Sequence, residues 1–157
     1  MVAITEAQCA DDYRTCRALI EEYATSLGVD LCFQDLTQEL ATLHTSYGPP
    51  TGCLWLARGD NETVGCVAIR KHTAEACELK RLYVRESFRG AGVGRLLTRA
   101  AMARARTLGY ARIVLDTLAS MEAAKGLYRS LGFRPTEAYY VNPLPGVEYM
   151  ALDLPRV

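Results

Sequence analysis

Arg89-Gly90-Ala91-Gly92-Val93-Gly94 decides how this chain of 157 residues is read. The stretch lies between a strand-like run, Glu78 to Val84, and a helix-like run, Val93 to Leu108. Three glycines in five residues let the backbone turn sharply and approach a ligand closely. The helix that follows points its first, unpaired N–H groups back at the turn. A strand–glycine loop–helix unit of this kind is a ready site for phosphate. Arg89 and Arg95 flank the turn and add charge and forked donors. The residues alone therefore assign a phosphorylated cofactor to this segment.

Outward from the loop, the pattern interleaves strands and helices. Val2 to Thr5 reads as a first strand, and Asp11 and Asp12 offer N-cap chemistry. Tyr13, Cys16, Ile20, Tyr23, Ala24 and Leu27 follow at helical spacing, with Gly28 as the stop. Val29 to Phe33 is an apolar connector. Asp35 with Gln38 fits a capping box before a helix carrying Leu36, Leu40 and Leu43, which Gly48-Pro49-Pro50 breaks. Cys53 to Arg58 and Thr63 to Arg70 read as a hairpin closed by Gly59-Asp60-Asn61-Glu62. Ala76 to Val84 is the strand feeding the glycine loop. Gly109 ends the long helix. Arg112 to Asp116 is a strand, Ser120 to Leu131 a helix stopped by Gly132, and two last strands fall around Arg134 to Tyr140 and Val147 to Leu154. Hairpins among βα units predict a mixed sheet.

The length predicts one domain, 1–157. Half the residues are apolar and 23% are charged, an ordinary globular composition. Lys plus Arg balances Asp plus Glu at 18 each, which argues against nucleic acid as the main partner. The six cysteines (9, 16, 32, 53, 66 and 77) form no CxxC pair, and the two histidines, His44 and His72, lie far apart, so no metal site is expected. The cysteines read as reduced and the chain as cytoplasmic. No signal peptide and no membrane span is expected, since no apolar run approaches the roughly 18 residues a span requires.

Two nucleotide readings of the loop fail on residue identity. A P-loop closes on Lys-Ser/Thr, whereas Gly94 precedes Arg95-Leu96. A dinucleotide turn would use Gly90-x-Gly92 with Asp116, 24 residues beyond Gly92, as the ribose acid. Against it, Arg85 to Arg89 separate the strand from the first glycine, and Arg95 occupies the third glycine's place.

A third reading comes from resemblance. Arg89-x-x-Gly92-x-Gly94 fits the pyrophosphate loop of the GNAT superfamily of acetyl-CoA-dependent N-acetyltransferases, and Leu127-Tyr128-Arg129-Ser130-Leu131-Gly132-Phe133 fits its second signature, a Tyr-bearing helix ending at Leu-Gly-Phe. Both occur in order, and the chain resembles that family from about Glu78 to Leu152. The resemblance implies an α/β fold with a mixed, mostly antiparallel central sheet of about six or seven strands and helices on both faces. It implies acetyl-CoA as donor, its pyrophosphate on the backbone of Arg89, Gly90, Ala91, Gly92, Val93, Gly94 and Arg95, and its pantetheine arm along Leu82, Tyr83 and Val84. A backbone N–H near Leu82 would polarise the thioester carbonyl.

The family often carries a catalytic Glu at the spacing of Glu78, eleven residues before Arg89. Strand alternation sets Glu78, Lys80 and Leu82 on one face and Leu79, Arg81 and Tyr83 on the other. Tyr128 matches the Tyr that protonates the departing thiolate. The family's Asn seven residues earlier is here Met121, with Ser120 beside it as a substitute contact or a helix cap. Cys77 as a covalent carrier is disfavoured, because alternation points it away from Glu78. For the acceptor side, Phe33, Tyr140 and Asn142 are candidate contacts, suggesting a small polar amine; the alternative for these aromatics is a sheet role or a homodimer contact. The rival function is a non-catalytic acyl-CoA-binding module.

Overall fold

The computed structural model describes residues 1–28 and 35–155. Seven strands, β1 (Ala3–Glu6), β2 (Cys53–Arg58), β3 (Thr63–Lys71), β4 (Ala76–Val84), β5 (Arg112–Leu118), β6 (Arg134–Pro135) and β7 (Val147–Asp153), form one sheet in the order β1-β2-β3-β4-β5-β7-β6. Every pairing is antiparallel except β4 with β5. That is the mixed sheet expected, and it is not the doubly wound parallel sheet a dinucleotide turn belongs to. The helices are α1 (Ala10–Leu27), α2 (Leu36–Ala41), α3 (Leu43–Ser46), α4 (Val93–Thr107) and α5 (Glu122–Ser130).

Helices cover both faces, which is why the inner strands read as nearly unbroken apolar runs such as Cys66-Val67-Ala68-Ile69. On one face α4 sets Val93, Leu97, Ala101 and Ala105 against Val67, Ile69, Cys77 and Leu79, and Tyr128 of α5 joins that core. On the other, Cys16, Leu19 and Ile20 of α1 with Leu43 and Tyr47 pack on Leu54, Leu56, Cys66 and Tyr83. Two expected caps differ. Asp12 is the third residue of α1, not its cap; its carboxylate accepts the N–H groups of Gln8 and Cys9. Asp35 makes no side-chain cap to α2, because its own backbone is left-handed, φ +54°.

Two irregularities mark β4. First, β4 and β5 pair only at Ala76–Arg112, Cys77–Ile113 and Glu78–Val114, and then both strands run on unpaired to each other, to Val84 and Leu118. The sheet is split there into a wedge. Second, the register against β3 jumps from Ala68–Lys80 to Cys66–Tyr83, so Arg81 and Leu82 together oppose Val67. Arg81 takes φ +62° at this bulge, a conformation that costs an L-residue about 1–2 kcal/mol. Its guanidinium is clamped by Glu39 of α2 through two hydrogen bonds, 2.8 and 3.0 Å, with both side chains buried. Burial works to raise the Glu39 carboxyl, but the Arg81 hydrogen bonds outweigh it and hold the group ionised.

The bulge corrects the expected alternation. Tyr83 joins the α1 side, where Arg81 also reaches α2, while Leu79, Leu82 and Val84 pack toward the α4 side. A strict period of two fails because one extra residue is inserted at Arg81.

Candidate active site

The glycine loop is built as its composition demands. Gly90 and Gly92 take φ +84° and +83°, and a Cβ at either would be strained whatever the space around it. Gly92 is the N-cap of α4 with no side-chain cap, so the first N–H groups of the helix face the loop without a capping oxygen. Arg89 turns back on the strand: its Nε donates to the Val84 carbonyl at 2.8 Å, and its guanidinium lies 5.8 Å from the Tyr83 ring centre. Arg95 donates to Ser130 Oγ at 2.8 Å, tying α4 to α5.

A groove of about 580 Å³ runs from this loop along β4. Leu82, Tyr83 and Val84 form one wall, Arg89, Gly90, Gly92, Val93, Gly94 and Arg95 the end, and Ser120 with the first turn of α5 the other wall. Of the expected cofactor contacts, Ala91 alone is not a lining residue; it sits exposed in the loop. Ser120 lines the groove but does not cap α5, whose N-cap is Met121.

The groove opens into the wedge between β4 and β5, the two sharing Tyr23, Leu27, Leu82, Met121 and Ala124. The wedge pocket, about 60 Å³, is lined by Tyr128, Lys80, Asp116 and Asn142 among others. Tyr128 is 6% exposed, its ring 5.5 Å from that of Phe133, and its hydroxyl has no hydrogen-bond partner among the described residues. Burial, with smaller contributions from Tyr23 and Asp116, pushes its phenol well above the ordinary range, so it holds its proton at neutral pH.

Glu78 lies in a neighbouring cleft with Arg70, His72, Tyr139 and Tyr140. It is buried and engaged on both oxygens, by Arg70 Nε at 3.0 Å and the Tyr139 hydroxyl at 2.6 Å. Glu78 and Tyr128 thus line different cavities, and Lys80 lines both. The expected strand Arg134 to Tyr140 is only Arg134–Pro135. Beyond Thr136 the chain leaves the sheet because its tyrosines find polar partners: Tyr139 on Glu78, and Tyr140 on Asp116. Asn142 Nδ2 donates to the same Asp116 oxygen at 2.8 Å. Asn142 therefore lines the wedge, while Tyr140 lines the Glu78 cleft and reaches the wedge through Asp116. Phe33 lies outside the described residues. Cys77 faces the α4 core, and burial pushes its thiol up to about 12, the state of a packing residue and not of a nucleophile.

Two residues escaped the sequence reading. Arg70, which fixes Glu78 together with Tyr139, is unmarked in its local sequence. Lys80 had a signal, its place beside Glu78 on an apolar strand. It is 6% exposed and makes no ion pair or hydrogen bond among the described residues. Burial brings its pKa down to about 8, partly offset by Glu78 and reinforced by Arg81 and Arg70. Among the described residues no His, Cys, Asp or Glu cluster is arranged to hold a metal, and no helix is long and apolar enough to cross a membrane.

A model of the acetyltransferase (GNAT) family matches residues 14–133. An uncharacterized N-acetyltransferase of Schizosaccharomyces pombe is 40% identical over 157 residues, covering 99% of this chain and 96% of that protein. The N-acetylaspartate synthetase of Homo sapiens is 41% identical over 100 residues, 63% of this chain but only 33% of that protein. A GNAT-family acetyltransferase structure from Staphylococcus aureus superposes with a TM-score of 0.82 at 18% identity, covering 99% of this chain and 100% of that one. Another, from Elizabethkingia anophelis with acetyl-CoA bound, gives 0.68 at 22% identity, covering 98% of each. At these identities the two structures speak to the fold.

Proposed function

The chain belongs to the acetyltransferase (GNAT) family, and on that premise we propose that it moves the acetyl group of acetyl-CoA to the primary amine of a small molecule, by direct attack with both substrates bound. The observation that carries this reading is the junction of groove and wedge. A phosphate-suited loop ends one cavity, and the other is lined by a tyrosine whose hydroxyl has no partner among the described residues.

The residues present fit the donor. The positive-φ glycines and uncapped first turn of α4 suit the pyrophosphate. Leu82, Tyr83 and Val84 suit the pantetheine arm, and Ser120 stands where a further polar contact would fall. When bound, acetyl-CoA supplies an acetyl carbon activated as a thioester. The chain's own groups move the protons. Tyr128, kept protonated by burial, donates to the departing sulfur. Glu78 takes the proton of the amine through solvent in the cleft that Lys80 shares with the wedge. The C–N bond forms as the C–S bond breaks, and each proton has a named site.

A small acceptor is supported by the size of the wedge and by relatives named for a small acetylated product. Thiol release from acetyl-CoA, measured with the purified protein across amines, polyamines, amino acids and aminoglycosides, tests the reading. Amine-dependent release is expected. Tight acetyl-CoA binding with no release for any class would instead identify a non-catalytic acyl-CoA-binding module.

A further inference from the structure

Among the described residues, charge pairing around β4 leaves one cation over. Arg70 is spoken for by Glu78 at 3.0 Å, and Arg81 by Glu39 at 2.8 Å. Lys80 stands between these pairs with no acid of its own among the described residues, although it is as buried as Glu78, Arg81 and Glu39 and more so than Arg70. Its side chain opens on the two cavities it lines, and a largely desolvated ammonium gains from a group in the cavity that meets it. Across the wedge the converse holds for Asp116. Its described hydrogen bonds come from neutral donors, Tyr140 and Asn142, and both fall on Oδ2, leaving Oδ1 without a partner among the described residues. No ion pair joins Asp116 to Lys80 or to any other described cation.

We infer that the acceptor is an α-amino acid, its carboxylate held by Lys80 and its ammonium received by Asp116 on binding, before the proton passes through the shared cleft to Glu78. This rests on the acetyltransferase reading above and specifies its substrate class. One pocket presents an unmatched positive group and an under-used carboxylate, the complement of a zwitterion. A carboxylate on Lys80 makes a charge-assisted hydrogen bond in a site shielded from water. An amine without an acid brings a second positive charge beside Lys80 and meets repulsion, so the same residue that selects amino acids rejects polyamines and alkylamines. Tyr140 and Asn142 hold Asp116 from the far side and fix where the amine points.

The test compares each of a set of L-amino acids with its own α-carboxamide, in steady-state acetylation by the full chain with acetyl-CoA. The free acid of the best acceptor should be preferred in kcat/KM by about 10- to 100-fold, the range expected for a buried charge-assisted contact. Lys80→Met should collapse that ratio toward one by raising KM for the acid, and Lys80→Arg should restore part of it. The Lys80→Met protein should unfold at or above the wild-type temperature, which separates lost selectivity from lost fold. Carboxamides acetylated as well as the acids, or Lys80→Met keeping the full preference, overturn the inference and leave the acetyltransferase reading standing. No acetylation of any amine overturns both.

Discussion

The groove at Leu82 to Gly94 and the wedge at Lys80 to Asp116 begin two residues apart on one strand and are made of different material. The loop end of the groove is backbone: positive-φ glycines, the open first turn of α4, and the edge of β4 left unpaired by β5. Even Arg89 serves it by bonding a carbonyl, that of Val84. The wedge is side chains, and they come from Tyr23, Lys80, Asp116, Tyr128 and Asn142, spread over most of the chain. A backbone site is constrained by which residues the chain permits at each φ. A side-chain site is constrained by which charges are left unpaired after folding. On the proposed function the first constrains the donor and the second the acceptor, and variants should separate them.

Tyr128→Phe should separate them most widely. General acid catalysis is worth about 100- to 10,000-fold. The variant should lose turnover on that scale while binding acetyl-CoA with nearly the wild-type Kd, because Tyr128 lines the wedge and not the groove. Turnover unchanged on the best acceptor would remove Tyr128 from the chemistry. Next in size is the converse, Gly92→Val with Gly94→Val. The first forces an L-residue to φ +83°, and the second puts bulk where even a Cβ would sit 3.4 Å from Leu127 Cδ2. Titration with acetyl-CoA should show affinity falling roughly 100- to 1,000-fold, at about 1–2 kcal/mol for the forced φ with the added bulk beyond it. Retained affinity would mean that the loop does not hold the pyrophosphate.

The same contrast explains what the sequence disclosed. Loop, strand and helix were legible because glycine spacing and apolar periodicity are local, and the mixed sheet followed from their order. Three things were not. The bulge at Arg81 is stabilised by Glu39, 42 positions away, so no local pattern marks it, and alternation misplaced Leu82 and Tyr83. The strand expected at Arg134 to Tyr140 stops at Pro135 because Tyr139 and Tyr140 bond to carboxylates on β4 and β5. Lys80 is marked only by its place on the Glu78 face of the strand, since its lack of a partner among the described residues exists only after Glu78 and Glu39 have been taken by arginines.

That unpaired lysine makes the wedge costly to fold, which gives a third measurement. Lys80 is buried and faces Glu78, Arg81, Arg70 and Glu39; its pKa falls from 10.5 to about 8. The folded protein therefore binds this proton less tightly than the unfolded chain. The penalty, on the order of 3 kcal/mol, is full below about pH 8 and fades as the pH rises toward 10.5. Lys80→Met should be the more stable protein at pH 7, and its advantage over wild type should shrink steadily between pH 8 and 10.5 in urea unfolding. A constant difference across that range would mean that Lys80 is solvated. No groove residue among the described ones should behave this way, because the groove holds no unpaired buried charge.

The smallest expected effect lies at the seam between the regions. Tyr139 ties the segment after Pro135 to β4 by one hydroxyl on Glu78, while Tyr140 and Asn142 tie the same segment to Asp116 independently. Tyr139→Phe removes one hydrogen bond to a charged group and keeps the ring contacts with His72, Tyr140 and Tyr149. A loss of about 1.5 kcal/mol or a little more is expected, roughly a tenfold effect. It should fall on kcat with the acceptor, since the Glu78 carboxylate that Tyr139 fixes is the proposed base, and not on the acetyl-CoA Kd. If both constants moved together, groove and wedge would be one coupled unit, and the separation between a backbone-built donor site and a side-chain-built acceptor site would fail.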